Sequence, residues 1–345
     1  MTSSSNQGTL DQWLGRSTNY SQPAAAEPSS SEDQPTMPSH GWYSHHQPSS
    51  SDRNRDQDSY RRGAALAAIA KETRIVLPDI LKHIPHIHAS RSEAHYNHST
   101  PRLEPKDCPK RTRSGRTRIK IVNDDSFNAA IELATSKGAG HGRVAVLNMA
   151  NASVPGGGWL KGARAQEEAL CYRSSLSLSL HRRYYPWQQR MGIYSPDVVI
   201  IRSDQDSGHQ LLVPSVVPKD LPVVSVLSVA AIRCPPTDRV RIQTQNGLVE
   251  KHLYSKPSDR ELTKSKMRLC LRMAAHHNHG LLVLGALGCG AFGNPPKEVA
   301  NCWLEVLHEG EFQGGWWEEV WFAVFDKRNE GNLEVFEEVL GNVQI

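Results

Sequence analysis

Two glycine-rich loops constrain the fold of this chain more than any other feature of its sequence. The first loop, residues 148–158, follows the apolar run 144–149 and ends in three consecutive glycines. The second, residues 285–294, follows the apolar run 281–284 and contains four glycines. Glycines let a backbone approach a ligand closely and present its amides to anionic oxygens. Either loop alone would be explained by tight turns, but two of them predict an anion-binding site at the carboxyl edge of a sheet.

Residues 118–345 alternate apolar segments with helical ones. We predict strands over residues 118–123, 144–149, 198–202, 210–213, 223–229, 281–284 and 320–325. The first predicted helix is capped by Asp124 or Asp125, runs to about residue 137 and is ended by Gly138. Further helices are predicted over about 164–181, 259–276, 296–308 and 332–340, and Ser258 is the predicted cap of the helix over 259–276. Apolar strands separated by helices indicate an α/β core with a mixed sheet that is flanked by helices on both faces.

The N-terminal part differs in composition from this core. Residues 1–58 are rich in Ser, Gln, Pro, Asp and Asn, so they bury too little apolar surface to offset the entropy of ordering, and we predict a disordered tail. Residues 59–117 predict a helical extension, with a helix over 64–82 that is broken or kinked before Pro78. A long loop rich in His, Pro and Arg follows over 83–116.

A pair of adjacent carboxylates, Glu167 and Glu168, follows the first glycine loop after a seven-residue spacer and Gln166. Two carboxylates at a helix start can do acid–base work on a ligand that the loop holds. Because like charges disfavour ionisation, we expect Glu168, next to Glu167, to have a raised pKa. Taken alone, such a pair is more simply a solvated helix start favoured by the helix dipole. Its position directly after the glycine loop favours a catalytic pair.

The loops and the carboxylate pair resemble the motifs of a known family. Asn-x-x-Asn followed by three glycines, residues 148–158, is similar to the ribose-contacting loop of macrodomains, which bind ADP-ribose. Three glycines, a spacer and Gln-Glu-Glu over 166–168 resemble the signature of poly(ADP-ribose) glycohydrolases. The second loop is similar to the macrodomain diphosphate loop. The order of segments over about residues 60–345 looks most like the microbial-type branch of that family.

The resemblance implies a macrodomain-like fold and a role for each motif residue. Glu168 matches the catalytic glutamate, and Glu167 matches the neighbour that holds the terminal ribose through its hydroxyls. Asn151 matches the asparagine that positions the same ribose, and Asp125 or Asp124 would contact the adenine end. The other substrate-binding positions that the resemblance implies lie in or beside the two loops: Asn148, Gly156, Gly157, Gly158, Gln166, Gly288, Cys289, Gly290, Ala291, Phe292 and Gly293.

The activity that the resemblance implies is hydrolysis of the ribose–ribose O-glycosidic bonds of poly(ADP-ribose), with release of ADP-ribose. Such a bond breaks through an oxocarbenium-like transition state, and Glu168 would protonate the leaving hydroxyl and then activate water. This scheme needs no metal and no organic cofactor. Two alternatives stay open: a hydrolase that removes single ADP-ribose units, and a module that binds ADP-ribose without turnover. The carboxylate pair argues against the second, because binding alone does not need it.

A separate motif lies in the predicted tail. Gln7, Leu10, Trp13 and Leu14 form the pattern Gln-x-x-aliphatic-x-x-aromatic-bulky, whose apolar side chains fall on one side of a single helical turn. The pattern resembles the peptide that docks on the PCNA sliding clamp, although Leu14 stands where the strongest form has a second aromatic residue. A short pattern of this kind also arises by chance. The motif predicts the clamp as a partner.

Cysteine and histidine usage bounds the compartment and the metal chemistry. The six cysteines include no CxxC pair, so we expect reduced thiols in a nuclear or cytosolic protein, with the nucleus favoured. No apolar run is long enough to span a membrane, and a net charge of +4 is too small to indicate nucleic-acid binding by itself. The histidines of 83–88 and 276–279 have no acidic or Cys partner at ligand spacing, which favours surface residues over metal ligands.

Overall fold

The computed structural model describes residues 50–112, 116–138, 140–244, 247–327 and 329–345. The predicted clamp-binding residues Gln7, Leu10, Trp13 and Leu14, and the predicted tail up to residue 49, lie outside this part of the chain. The chain divides into two units, Met1–Gly63 and Ala64–Ile345, and the second contains the sheet and the candidate site. Among the helices of the described residues, none combines the length and the apolar character needed to cross a membrane.

The first described helix, α1 (Ser50–Lys82), begins earlier than the sequence predicts and ends at the predicted residue. The backbone of residues 50–58 is helical, so the prediction of disorder is wrong there. Pro78 lies inside the helix, so the predicted break before it is wrong as well. An internal proline costs about 3 kcal/mol of helix stability. The full burial of Leu77 and Ile80 offsets that cost, because packing rather than propensity supplies most helical stability.

Within the described residues, a seven-stranded mixed sheet and a separate hairpin form the β-structure. The strands are β1 (Glu93–Tyr96), β2 (Arg118–Val122), β3 (Ala145–Met149), β4 (Met191–Val199), β5 (Val223–Val229), β6 (Thr237–Thr244), β7 (Gly247–Tyr254), β8 (Leu281–Gly285) and β9 (Glu319–Ala323). The sheet order is β1-β4-β5-β3-β8-β9-β2. Strands β5, β3, β8, β9 and β2 run parallel, whereas β4 runs antiparallel to both β5 and β1. The predicted mixed sheet is confirmed.

Helices cover both faces of this sheet. They are α2 (Ser126–Lys137), α3 (Gln166–Arg173), α4 (Leu176–Ser179), α5 (Pro257–His276), α6 (Pro296–Leu307) and α7 (Asn332–Leu340). Side chains alternate along the central strands, so that Leu147 of β3 belongs to one buried cluster and its neighbour Val146 to another. The first cluster packs against α5, α6 and α7, and the second packs against α1, α2 and α3. Two cores on one sheet explain the continuous apolar strands of the sequence.

Several strand predictions are wrong because tertiary pairing decides them. Strand β4 ends at Val199, so the predicted strand over 198–202 is displaced, and 210–213 makes only an isolated bridge between Leu211 and Arg202. The predicted loop over 83–116 contains β1, whose four half-buried residues pair with β4. The β6–β7 hairpin was not predicted, because it is largely exposed and has no continuous apolar run like those of the central strands.

The helix predicted over 164–181 is two helices. The first, α3, begins at Gln166 and ends at Arg173. Ser174 then adopts an extended conformation and forms a bridge with Ile200, after which α4 begins at Leu176. Serine hydroxyls compete with helical hydrogen bonding, and a serine-rich run permits such a break. In α5 the predicted cap at Ser258 is also displaced, because the helix starts at Pro257.

We predict that Trp303 of α6 stabilises the end of β8. Trp303 is fully buried, and its indole N–H donates to the carbonyl of Gly285 at 3.2 Å. Trp303→Ala should lower the free energy of unfolding by about 3–5 kcal/mol, because it leaves a large cavity, whereas Trp303→Phe should cost less. Urea denaturation followed by circular dichroism measures both losses. A loss below about 1 kcal/mol for Trp303→Ala would contradict this packing role.

Candidate active site

A cavity of about 650 Å³ lies beyond the carboxyl ends of the parallel strands, where ligands of open α/β sheets are expected. Its wall includes Met149 at the end of β3, Ala323 at the end of β9, and Ala231 after β5. Glu168 of α3 is also part of the wall. This volume lies in the range of small-molecule binding sites, about 300–1,000 Å³.

Glu168 is held by backbone amides at the edge of this cavity. Its Oε1 accepts the N–H of Gly158 at 2.8 Å, and its Oε2 accepts the N–H of Ala165 at 3.1 Å. Only 7% of the residue is exposed. The carboxylate is therefore fixed between the last glycine of the first loop and the start of α3, with access to the cavity.

Glu167 points away from the cavity and into the protein. Its Oε2 accepts the N–H of Asn151 at 2.9 Å, and its Oε1 accepts the side-chain amide of Asn148 at 3.2 Å. Burial is the main cause that raises the pKa of Glu167 to about 8; the negative charge of Glu168 adds to it, and the two hydrogen bonds act in the opposite direction. The predicted pair therefore carries a proton on Glu167 near neutral pH.

Asn148 and Asn151 both form hydrogen bonds with Glu167 of the carboxylate pair. Asn148 is fully buried, does not line the cavity, and donates to Glu167 and to the Ser228 hydroxyl at 3.0 Å. The contact with substrate predicted for Asn148 stays a prediction, and its hydrogen bond gives it a role in positioning Glu167. The Asn151 side-chain oxygen accepts the N–H groups of Ser153 and Val154, which shapes the turn before the glycines. Its predicted contact with a ribose stays a prediction.

Gln166 lines the cavity, but its amide is occupied by the scaffold. Its Oε1 accepts the N–H of Met149 at 2.9 Å. Its Nε2 donates to the carbonyl of Leu147 at 2.8 Å and to the hydroxyl of Ser126 at 3.1 Å. We predict that Gln166 binds substrate, whereas in the structure its side-chain amide connects the start of α3 to the end of β3 and to the start of α2.

The first glycine loop packs directly on the carboxylate pair. Gly156 and Gly157 have φ values of +69° and +58°, in the left-handed region that favours glycine. A Cβ at position 157 would overlap Glu168 Oε1 and would lie 3.2 Å from Glu167 Oε2. Gly158 supplies the amide that Glu168 accepts. These three glycines are not among the residues that line the cavity, so their predicted contact with a diphosphate stays a prediction.

The second glycine loop forms the opposite wall. Five of its predicted binding residues line the cavity: Gly288, Cys289, Gly290, Ala291 and Phe292. Gly293 does not line it. The sequence analysis missed Asn294, a buried residue whose side-chain amide donates to the carbonyls of Ile232 and Gly288 at 2.7 and 3.1 Å. Tyr254 of β7 donates its hydroxyl to Asn294 Oδ1 at 2.9 Å, so the hairpin also supports this loop.

Asp125 lies at the far end of the cavity, where an adenine contact was predicted. Its Oδ1 caps α2 by accepting the N–H of Phe127 at 2.7 Å, as predicted from the sequence, and it also pairs with the buried guanidinium of Arg173. Asp125 and Asp124 both line the cavity. The contact with adenine stays a prediction, because Oδ1 of Asp125 is already occupied.

Two residues of the cavity wall, Asp204 and Phe325, had no recognisable signal in the sequence. Asp204 accepts the side-chain amide of Asn128 at 2.6 Å. Burial acts to raise the pKa of Asp204, but hydrogen bonds from Asn128 and Ser207 and the charge of Arg173 outweigh it and lower the pKa to about 2. Phe325 lies in the cavity wall with 55% of its surface exposed, and therefore offers a free face to a planar ring.

Fold and site together define a macrodomain-like α/β protein with a carboxylate pair between two glycine loops. Residues 53–203 match the family model of the microbial-type PARG (poly(ADP-ribose) glycohydrolase) catalytic domain. No protein of the curated set matches the chain.

Solved structures extend the likeness beyond residues 53–203. One is poly(ADP-ribose) glycohydrolase from Thermomonospora curvata bound to the inhibitor ADP-HPD, with 26% identity and a TM-score of 0.59, covering 80% of this chain and 99% of that one. Another is the enzyme from Deinococcus radiodurans in complex with ADP-ribose, with 29% identity and a TM-score of 0.54, covering 72% of this chain and 94% of that one. These matches show that the chain is similar to microbial-type PARG catalytic domains.

We predict that Gly157→Ala abolishes most turnover without unfolding the protein. The new Cβ would displace the Glu168 carboxylate, and a misplacement of about 1 Å typically costs on the order of 100-fold in rate. Gly310→Ala is the matched control, because a Cβ at position 310 meets no atom within 4 Å. Steady-state kinetics and circular dichroism of both variants test this. Unchanged turnover of folded Gly157→Ala would contradict the tight contact.

We predict that Glu167 makes the free energy of unfolding depend on pH. Its folded-state pKa of about 8 lies above the ordinary value of 4.5, so its contribution to stability is complete below pH 4.5 and is lost as the pH rises toward 8. The free energy of unfolding should fall by at most about 1.4 kcal/mol per pH unit through this slope. Glu167→Gln should remove this slope, whereas Gln at the exposed Glu334 should not. Urea denaturation between pH 5 and 8 measures both, and identical slopes for wild type and Glu167→Gln would contradict the raised pKa.

Proposed function

We propose that this protein is a poly(ADP-ribose) glycohydrolase, which hydrolyses ribose–ribose O-glycosidic bonds and releases ADP-ribose. The observation that carries the proposal is the position of Glu168, which is fixed by two backbone amides at the wall of a cavity whose opposite wall is a glycine loop. The family match supports the activity. Relatives solved with ADP-ribose or with the inhibitor ADP-HPD support the ligand.

The substrate's diphosphate would lie along the second loop. Glycines at positions 288 and 290 leave backbone amides accessible there, and such amides bind anionic oxygens. The adenine would then extend toward Phe325, whose exposed ring suits stacking. This orientation brings the terminal ribose to the end of the cavity where Glu168 lies.

Glu168 would serve both proton steps of the reaction. It gives a proton to the oxygen of the leaving ribose as the glycosidic C–O bond breaks. The negative charge of the bound diphosphate stabilises the positive charge that develops on the sugar. Glu168 then accepts a proton from the water whose oxygen bonds to that carbon. The contact of Glu167 with the ribose hydroxyls stays a prediction, because its carboxyl group points away from the cavity and bonds Asn148 and Asn151.

The proposal is tested by the products that the purified protein releases from poly(ADP-ribose). Chromatography should detect free ADP-ribose that accumulates with time. A protein that carries single ADP-ribose units is the matched second substrate. Release from this substrate alone would contradict the proposal and favour a hydrolase for single units. Tight binding of ADP-ribose with no release from either substrate would contradict it and favour a binding module.

We further propose that the protein acts in the nucleus during the DNA damage response and is recruited by the PCNA clamp. The support is the pattern Gln7, Leu10, Trp13 and Leu14, which fits a single helical turn in a hydrophobic pocket. Recruitment would place the enzyme at replication and repair sites, where the polymer is made.

We predict that clamp binding and catalysis are separable. Deletion of residues 1–20 should abolish binding to purified PCNA and leave turnover of free polymer intact. The double substitution Leu10→Ala and Trp13→Ala should weaken binding at least roughly 30-fold, because buried aromatic anchors dominate such interfaces. Tyr20→Ala, in the same segment, is the control. Equal affinity of the double variant, the control and the wild type by calorimetry would contradict the docking role.

A further inference from the structure

A cluster of two histidines and one glutamate connects strand β1 to the end of helix α5. Glu93 and His95 are two residues apart on β1, so their side chains project from the same face. His277 immediately follows α5 and brings its ring to that face. All three residues are half-buried. They do not belong to the described residues that line the candidate active site.

The ligand-type atoms of this cluster converge on one point. The Nε2 atoms of His95 and His277 lie 3.3 Å apart. Glu93 Oε2 lies 3.8 Å from Nε2 of His277 and 4.0 Å from Nε2 of His95. Bonds of about 2.0–2.1 Å at tetrahedral angles place the ligand atoms of Zn²⁺ about 3.3–3.5 Å apart. The three atoms therefore come close to one face of a zinc tetrahedron.

A hydrogen bond between the two imidazoles is the simpler alternative. One N–H···N bond would account for the distance between the rings. It would not account for a carboxylate oxygen at nearly equal distances from both nitrogens. Two histidines and one carboxylate are also a recurring ligand set for Zn²⁺ and for other divalent transition metals.

The surroundings hold the His277 ring in place. Tyr194, which pairs with Glu93 across the β1–β4 ladder, stacks on the His277 ring at 3.6 Å between centroids and 11° between planes. The Tyr194 hydroxyl is fixed in turn by His279 at 2.9 Å. These contacts fix the ring whose Nε2 lies 3.3 Å from that of His95.

We propose that Glu93, His95 and His277 bind one divalent ion of the Zn²⁺ type, with water as the remaining ligand. The ion would fasten β1, an edge strand of four residues, to the end of α5. Its role is structural, because its ligands are not part of the cavity wall among the described residues. Glu93 is the acidic partner that the local sequence around His277 lacks, and only the fold brings it there.

The test is a calorimetric titration of the metal-stripped full chain with ZnCl₂. Wild type should bind one ion at a single strong site, and Glu93→Gln and His277→Asn should each weaken this binding by at least roughly 100-fold. His98→Asn is the matched control, an exposed histidine on the same segment that lies outside the cluster. It should bind Zn²⁺ like wild type.

Thermal unfolding provides a second readout on the same four proteins. Zn²⁺ should raise the unfolding midpoint of wild type and His98→Asn, because an ion bound only to the folded state stabilises it. It should not raise the midpoint of Glu93→Gln or His277→Asn. Glu93→Gln replaces a half-exposed side chain with one of the same size. We therefore expect this variant to fold even if His277→Asn does not. Absence of a single strong site in wild type, or equal binding by wild type and Glu93→Gln, would overturn the proposal.

Discussion

Hydrogen bonds from the backbone to two neighbouring carboxylates organise the candidate active site. Consecutive residues of a helix point about 100° apart, so Glu167 and Glu168 leave the start of α3 in different directions. Backbone amides of the first loop bind both carboxylates: the N–H of Asn151 donates to Glu167, and the N–H of Gly158 donates to Glu168. One carboxylate becomes buried and protonated, while the other stays at the cavity wall. The same turn of helix therefore supplies two groups with different chemistry.

This arrangement depends on α3 starting at one particular place. The Gln166 amide fixes that place by bonding both the N–H and the C=O groups at the end of β3. Gly157 then allows the loop to lie against the carboxylates, where any side chain would collide with Glu168. Packing and hydrogen bonding thus explain why a glutamine stands at position 166 and a glycine at position 157.

The sequence analysis succeeded where the information is local. The Asp125 cap, the strand Val223–Val229 and the helix Asn332–Leu340 follow from capping chemistry and apolar runs, and the structure confirms them. Five residues of the second loop line the cavity, as expected when two glycine loops follow two buried strands of one sheet. The family resemblance predicts the mixed α/β fold, which the structure confirms, and it also predicts the activity that is proposed for the chain.

The failures are of a different kind, since they depend on contacts between distant segments. Strand β1 exists because β4 offers it an edge, and four half-buried residues carry no periodicity of their own. The full burial of Asn148 beneath Glu167 follows from the pairing of β3 with β5, which no local pattern indicates. Phe325 and Asp204 reach the cavity from separate loops, so neither has a neighbour in the sequence that indicates a site.

The central claim is that Glu168 moves the proton in glycosidic cleavage, and the most direct measurement is the comparison of wild type with Glu168→Gln. Glutamine keeps the shape of the side chain but cannot cycle a proton. The account predicts that Glu168→Gln binds ADP-ribose with an affinity close to wild type by calorimetry, while release of ADP-ribose from poly(ADP-ribose) is lost. Release at the wild-type rate by a folded Glu168→Gln protein would contradict it.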